Sequence, residues 1–223
     1  MAIEEIDIEL PTSMLIHTLP EPVAALIQKS DRRWELFCGI QGNRRLPRFV
    51  PSEADLVFAA LDFVTRQGLP PGRVFCEWGS GFGTGTCLAA LLGYEAYGIE
   101  IEPELVDIAR QMAHDFDIAA EFLCTSYIPE GFESYAGVGG EELVKSRTFT
   151  YPGEALDAEP HYDGMAFDIA AIDLFFAYPW PEEQELMQQL FDAVAMEGAI
   201  LIAYHSAKEI CIYRKRFDTR GRC

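Results

Sequence analysis

The segment VFCEWGSGFGTG, residues 74–85, constrains the fold more than any other part of the chain. A β-prone run breaks at Gly79, three further glycines alternate with other residues, and an apolar helical run, TGTCLAALLGY, opens from them. Glycines in such a turn permit positive φ and let the backbone approach a ligand with no Cβ in the way. Strand, glycine turn and helix together place a ligand at the C-terminal edge of a parallel sheet.

The rest of the chain continues that rhythm. EAYGIEI reads as a second strand, PELVDIARQMAHDF as a helix with Pro103 in its first turn, and AAEFLCTS as a third strand. FDIAAIDLFF reads as a fourth, PEEQELMQQLFDAVAM as a helix and ILIAYH as a fifth. Strands alternating with helices imply right-handed crossovers, so the fold class is α/β with a doubly wound, mostly parallel sheet. ILIAYHSAKEICIYRKR leaves no room for a helix after the fifth strand, which predicts a hairpin and an antiparallel C-terminal edge strand, hence a shortened C-terminal end.

Upstream, Leu56, Ala59, Ala60 and Phe63 recur at helical spacing, with Ser52 as a cap and GLPPG as the stop. Residues 127–165 are longer than a crossover needs and are expected to shape a site or form a loop. The chain divides into an N-terminal extension with a helix (1–50), one ligand-binding domain (51–216) and a basic tail (217–223), with no internal repeat.

Charge narrows the partners. A formal net charge of -19 disfavours a broad nucleic-acid surface, since phosphate neutralisation needs clustered Lys and Arg. Arg32, Arg33, Arg44, Arg45 and Arg48, and the tail residues Arg214, Lys215, Arg216, Arg220 and Arg222, read as solvated surface. No run of about 20 apolar residues is present, so no membrane span is expected. MAIEEIDIEL lacks the basic and apolar regions of a secretory signal. Six scattered cysteines without a CxxC pair predict neither disulfides nor zinc, and a reducing cytoplasm. His17, His114 and His161 show no paired ligand spacing, so no metal is expected; His205, ending strand five, reads as structural.

Spacing then decides among the ligands of a glycine loop. A dinucleotide fingerprint, G-x-G-x-x-G, fails from Gly79, where Thr84 takes the third position, and from Gly81, where Thr86 does. A dehydrogenase is disfavoured accordingly. The loop instead reads E-x-G-x-G-x-G, as Glu77, Gly79, Gly81 and Gly83, and Glu100 closes the second strand in YGIEIEP.

EWGSGFGTG followed by GIEIEPELVDIAR resembles the class I (Rossmann-like) S-adenosylmethionine-dependent methyltransferases, over roughly residues 51–215. The resemblance implies S-adenosylmethionine as cofactor. It implies that Glu100, with Ile101 beside it, receives the ribose diol, and that Glu77 serves the methionyl ammonium directly or through water. The backbone of Gly79, Ser80, Gly81 and Gly83 would lie along the methionyl chain. Where the family often has an adenine-contacting acid after strand three, this chain has Thr125 and Ser126, whose hydroxyls would replace it.

In strand four, Asp173 matches the position where amino-methylating members carry D/N-P-P-Y, but Leu-Phe-Phe follows it, so the adenine and cytosine methylases of nucleic acids are disfavoured. The resemblance implies an acceptor beside Asp173, Tyr178 and Trp180, with Asp173 as the candidate base. The function expected is in-line methyl transfer to an N or O nucleophile of a small molecule or protein. An aminopropyl transferase of the same fold, or a non-catalytic cofactor-binding or interaction domain, is the alternative.

Overall fold

The computed structural model describes residues 3–6, 19–41, 49–129, 161–166, 168–205 and 209–216. The expectations for residues 130–160, the tail 217–223, His17, Arg44, Arg45 and Arg48 lie outside the described residues.

In chain order the elements are β1 (Ile3–Ile6), α1 (Glu21–Gln41), α2 (Ala54–Arg66), β2 (Val74–Trp78), α3 (Thr84–Leu91), β3 (Glu95–Glu100), α4 (Pro103–Asp115), β4 (Ala120–Cys124), β5 (Leu174–Ala177), α5 (Gln184–Val194), β6 (Ile200–His205) and β7 (Glu209–Lys215). Seven strands form one sheet in the order β1-β7-β6-β5-β2-β3-β4. The five central and far strands β6, β5, β2, β3 and β4 run parallel, and β7 returns antiparallel to β6, as the hairpin reading requires.

Outside β7 lies a strand that the sequence reading did not anticipate. β1 pairs antiparallel with β7, from Ile3 opposite Lys215 to Ile6 opposite Ile212. The N-terminal segment is thus part of the same sheet and forms its rim, and Arg216 reinforces it by ion-pairing with Glu4.

Each strand presents alternate side chains to two apolar layers. Phe75, Phe176, Ile202 and Phe122 face the layer made with α1, α2, α3 and α4. Cys76, Trp78, Phe175 and Leu201 face the layer made with α5, Ile169 and Ile172. Phe175 lies between Trp78 and Phe191, with ring centroids 4.9 and 5.5 Å away. Helix α4 shows how the pattern works: Leu105, Val106, Ala109, Met112 and Ala113 recur at helical spacing and are its buried residues, and Pro103 starts it where no intrahelical N–H is needed.

Two local readings are corrected. Ser52 does not cap α2; the N-cap is Glu53, without a side-chain cap bond. FDIAAIDLFF is not one strand either. Asp168 Oδ1 accepts from the Ala170 amide at 2.9 Å and starts a single 3-10 turn, Ile169–Ala171, so β5 begins only at Leu174. Among the described residues, no helix is long and apolar enough to cross a membrane.

Candidate functional site

The turn after β2 is pinned to the neighbouring strand. The amides of Gly79 and Ser80 both donate to Ile99 O, at 2.9 and 2.8 Å, and the Gly83 amide closes the turn on Ser80 O at 2.7 Å. Gly79, Gly81 and Gly83 have φ of +78°, +52° and +74°, a region that side-chain-bearing residues rarely adopt.

The glycines differ in what a Cβ would meet. At Gly83 it would lie 2.5 Å from Phe122 and 2.8 Å from Ala109, and at Gly85 2.5 Å from Glu77. At Gly81 it would strike the Phe49 ring at 2.4 Å. Only at Gly79, among the loop's glycines, is nothing within 4 Å, and Gly79 is exposed while Ser80, Gly81 and Gly83 are buried. Three glycines let the loop pack against the protein, and Gly79 leaves its outer side open.

Glu77 is buried beneath this turn. Its Oε2 accepts from the Thr86 amide at 2.7 Å and the Thr86 hydroxyl at 2.6 Å. Helix α3 has no capping side chain at Gly83, so the strand's own acid satisfies a first-turn amide. Burial outweighs these hydrogen bonds and pushes the carboxyl up to about 8.

Glu100, at the C-terminal end of β3, joins two loops. Its Oε2 accepts from the Gly81 amide at 3.0 Å and its Oε1 from the Glu102 amide at 2.9 Å. Burial raises its pKa against the pull of those amides. Each oxygen keeps a lone pair for a further donor. Ile101 is half-buried beside it. Thr125 and Ser126 follow β4 on the same edge, with the Thr125 amide on Glu100 O at 3.1 Å and Ser126 Oγ accepting from the Ile128 amide at 3.1 Å.

The structure therefore brings Glu77, Gly79, Ser80, Gly81, Gly83, Glu100, Ile101, Thr125 and Ser126 to one edge of the sheet. Tyr178 and Trp180, just past β5, are at that edge too. Tyr178 packs edge-on against Tyr204, with centroids 4.8 Å apart.

Asp173 is not there, and its expected role as base is corrected. It precedes β5, at the N-terminal edge, and its Oδ2 accepts from the Val74 amide at 2.9 Å. Glu77 is opposite Phe176, three residues further along, so Asp173 is about 10 Å short of the level of Glu77, further still from the loop, and on the far rim. It ties the start of β2 to the start of β5. The error came from reading β5 too early: the residue that follows the strand is Tyr178.

The sequence reading also missed an aromatic cluster beside the loop. Phe82, within the loop, is 4.9 Å from Phe49 and 5.5 Å from Phe37, and Trp34 stands 5.6 Å from Phe49 by ring centroid. Phe82 is buried, while Trp34, Phe37 and Phe49 are half-buried. Helix α1 is held in place by Ser30 Oγ and Thr84 Oγ1, 2.7 Å apart, and by Arg33 donating to Ile108 O at 2.8 Å. The available signal was the aromatic content of 34–49, a stretch read as an extension.

The strand order, with its glycine loop after β2 and an acid ending β3, can be set beside solved structures. The chain is similar to an RNA methyltransferase from Salinibacter ruber, in complex with S-adenosyl-L-homocysteine, at TM-score 0.51 and 17% identity, over 78% of this chain and 98% of that one. The chain has the class I methyltransferase fold.

An O-methyltransferase from Bacillus cereus, in complex with SAH, is similar at TM-score 0.48 and 14% identity, covering 86% of this chain and 69% of that one. The O-methyltransferase TomG from Streptomyces achromogenes, in complex with SAM, gives 0.47 and 14%, over 86% and 68%. No family model matches the sequence, and no curated protein does.

Proposed function

We propose that the chain is an S-adenosylmethionine-dependent methyltransferase acting on an N or O nucleophile of a small molecule or protein. One observation carries this reading: Glu100 and the glycine loop, separate motifs in sequence, are joined by the hydrogen bond from the Gly81 amide to Glu100 Oε2, beside the open side of Gly79.

The residues fit such a cofactor. Glu100 keeps acceptor capacity for two adjacent hydroxyls, as a ribose diol offers. Gly79 leaves room for a methionyl chain along the turn, where Ser80, Gly81 and Gly83 set the backbone. The two Glu77 hydrogen bonds to Thr86 direct its carboxyl inward, so Glu77 would serve an ammonium through a water. Thr125, Ser126 and Ile101 border the far end of the site. When bound, the cofactor supplies an activated methyl group; the chain contributes positioning and a dry surrounding.

Tyr178 and Trp180, beyond β5, then face the acceptor, and the Phe49–Phe82 cluster makes one wall apolar. The acidic composition favours a small molecule or a basic protein over nucleic acid. A reducing, cytoplasmic setting suits the free thiols of Cys38, Cys76, Cys87, Cys124 and Cys211.

Equilibrium titration tests the proposal. Calorimetry with S-adenosylhomocysteine and S-adenosylmethionine should give saturable 1:1 binding in the micromolar range; no binding at about 1 mM, equivalent to only about -4 kcal/mol, would sink it.

A further inference from the structure

At the same edge a buried polar group remains that the reading above does not use. His205 ends β6, is 8% exposed, and its Nδ1 has no hydrogen-bond partner among the described residues. A buried polar atom without a partner is unfavourable, and sites where a ligand completes the bond are where such atoms are retained.

Topology puts His205 beside the acceptor side of the site. Ala177 of β5 is opposite Ala203 of β6, so His205, two residues on, is level with Pro179, between Tyr178 and Trp180. β6 adjoins β5 and β5 adjoins β2, which places His205 two strand spacings, about 10 Å, from the turn that begins at Gly79. By alternation it shares the sheet face of Ala203 and Ala177, whereas Tyr204 and Tyr178 occupy the other face. Its cross-strand neighbour on β7 is Glu209, an exposed acid suited to balancing an imidazolium.

We propose that His205 receives the acceptor's proton during methyl transfer, and therefore that the acceptor reacts through an N–H or O–H group; this rests on the cofactor reading above. The acceptor's heteroatom forms a bond to the methyl carbon as the carbon–sulfur bond breaks. That electron pair passes to sulfur, which becomes a neutral thioether. The heteroatom's proton passes to the imidazole, which later returns it to solvent. The edge then has the proton-accepting group that Asp173, on the opposite rim, cannot provide.

The cofactor's own charge offers a test that needs no acceptor. The sulfonium of S-adenosylmethionine is positive and the sulfur of S-adenosylhomocysteine is neutral, so a nearby imidazole protonates less readily beside the first. The imidazole C2–H signals of the full chain should be titrated by NMR with each compound at saturation. The His205 signal is identified by its loss in His205→Asn or, if that variant does not fold, by elimination with His17→Gln, His114→Gln and His161→Gln.

The His205 midpoint should be lower by roughly 0.5–1 pH unit with S-adenosylmethionine. That of His114, exposed on α4, should agree within about 0.1 unit. Glu209, Tyr178 and Tyr204 are present in both titrations and so do not produce the difference. Both compounds binding with equal His205 midpoints would overturn the assignment while leaving the cofactor reading intact. Failure of either compound to bind would overturn that reading, and this proposal with it.

Discussion

Glu100 Oε2 accepts the Gly81 amide at 3.0 Å, so the acid that ends one strand fixes the turn that follows its neighbour. Removing the acid should both free the turn and take away the acceptor for a diol. Charged hydrogen bonds contribute about 1.5–3 kcal/mol each, so Glu100→Ala should weaken S-adenosylhomocysteine binding roughly 10- to 100-fold. Calorimetry beside a circular-dichroism check of folding decides it, and an affinity within twofold of the native value would refute the role of Glu100.

Gly79 and Gly83 share a positive φ but should fail differently when substituted. Gly83→Ala drives a Cβ into Phe122 and Ala109 and should cost about 2–4 kcal/mol, a fall of roughly 5–12 °C in Tm. Gly79→Ala meets no atom of the protein and should cost only about 1 kcal/mol, from backbone strain, yet lower cofactor affinity at least tenfold. Melting curves paired with calorimetry separate the two. Equal effects on stability would mean that the open side of Gly79 has no special part.

Glu77 makes stability depend on pH in an unusual direction. Its carboxyl titrates near 8 when folded and in the ordinary range near 4.5 when unfolded, so between those values the native state holds the extra proton. Stability is therefore fully present below about 4.5 with respect to this group, and is lost as pH rises to about 8, above which the loss is complete. From pH 6 to pH 9 the loss should be about 3 kcal/mol, or roughly 5–10 °C in Tm. Glu77→Gln keeps an acceptor for Thr86 and should flatten that slope; an unchanged slope would assign the effect to another group.

Asp173 should matter to folding and not to the site. Asp173→Ala removes the acceptor of the Val74 amide and should cost about 1–2 kcal/mol, while Asp173→Asn, which keeps an acceptor oxygen, should cost less. S-adenosylhomocysteine affinity should stay within twofold for both. A tenfold loss in Asp173→Asn would contradict its position on the far rim.

These contrasts show which features were legible in the sequence. The alternation of strands and helices, the hairpin after β6 and the pairing of the glycine loop with Glu100 all follow from local pattern, because period, glycine spacing and strand ends are local properties. The uses of individual glycines are not. Gly83 is required by Phe122 and Ala109, and Gly81 by Phe49, and those contacts span tens of residues.

Asp173 was misplaced because FDIAAIDLFF is apolar enough to look continuous, while the Asp168 cap diverts its first half into a 3-10 turn. β1 was overlooked because four residues, Ile-Glu-Glu-Ile, lack the alternation of a half-buried strand and carry little signal until a partner strand is known. The aromatic cluster depends on where α1 lies, which packing against α3 and α4 determines.

β1 also sets an order of events. Residues 3–6 leave the ribosome well before residues 212–215, their sheet partner among the described residues. Joining them closes the longest loop among the described strand pairs, so the rim strand adds after the central strands have formed. Until then β7 presents an unpaired edge, the kind of surface at which sheets of different molecules join. Amide exchange should reveal that sequence in the finished protein, with the β1–β7 hydrogen bonds opening well before those between β5 and β6.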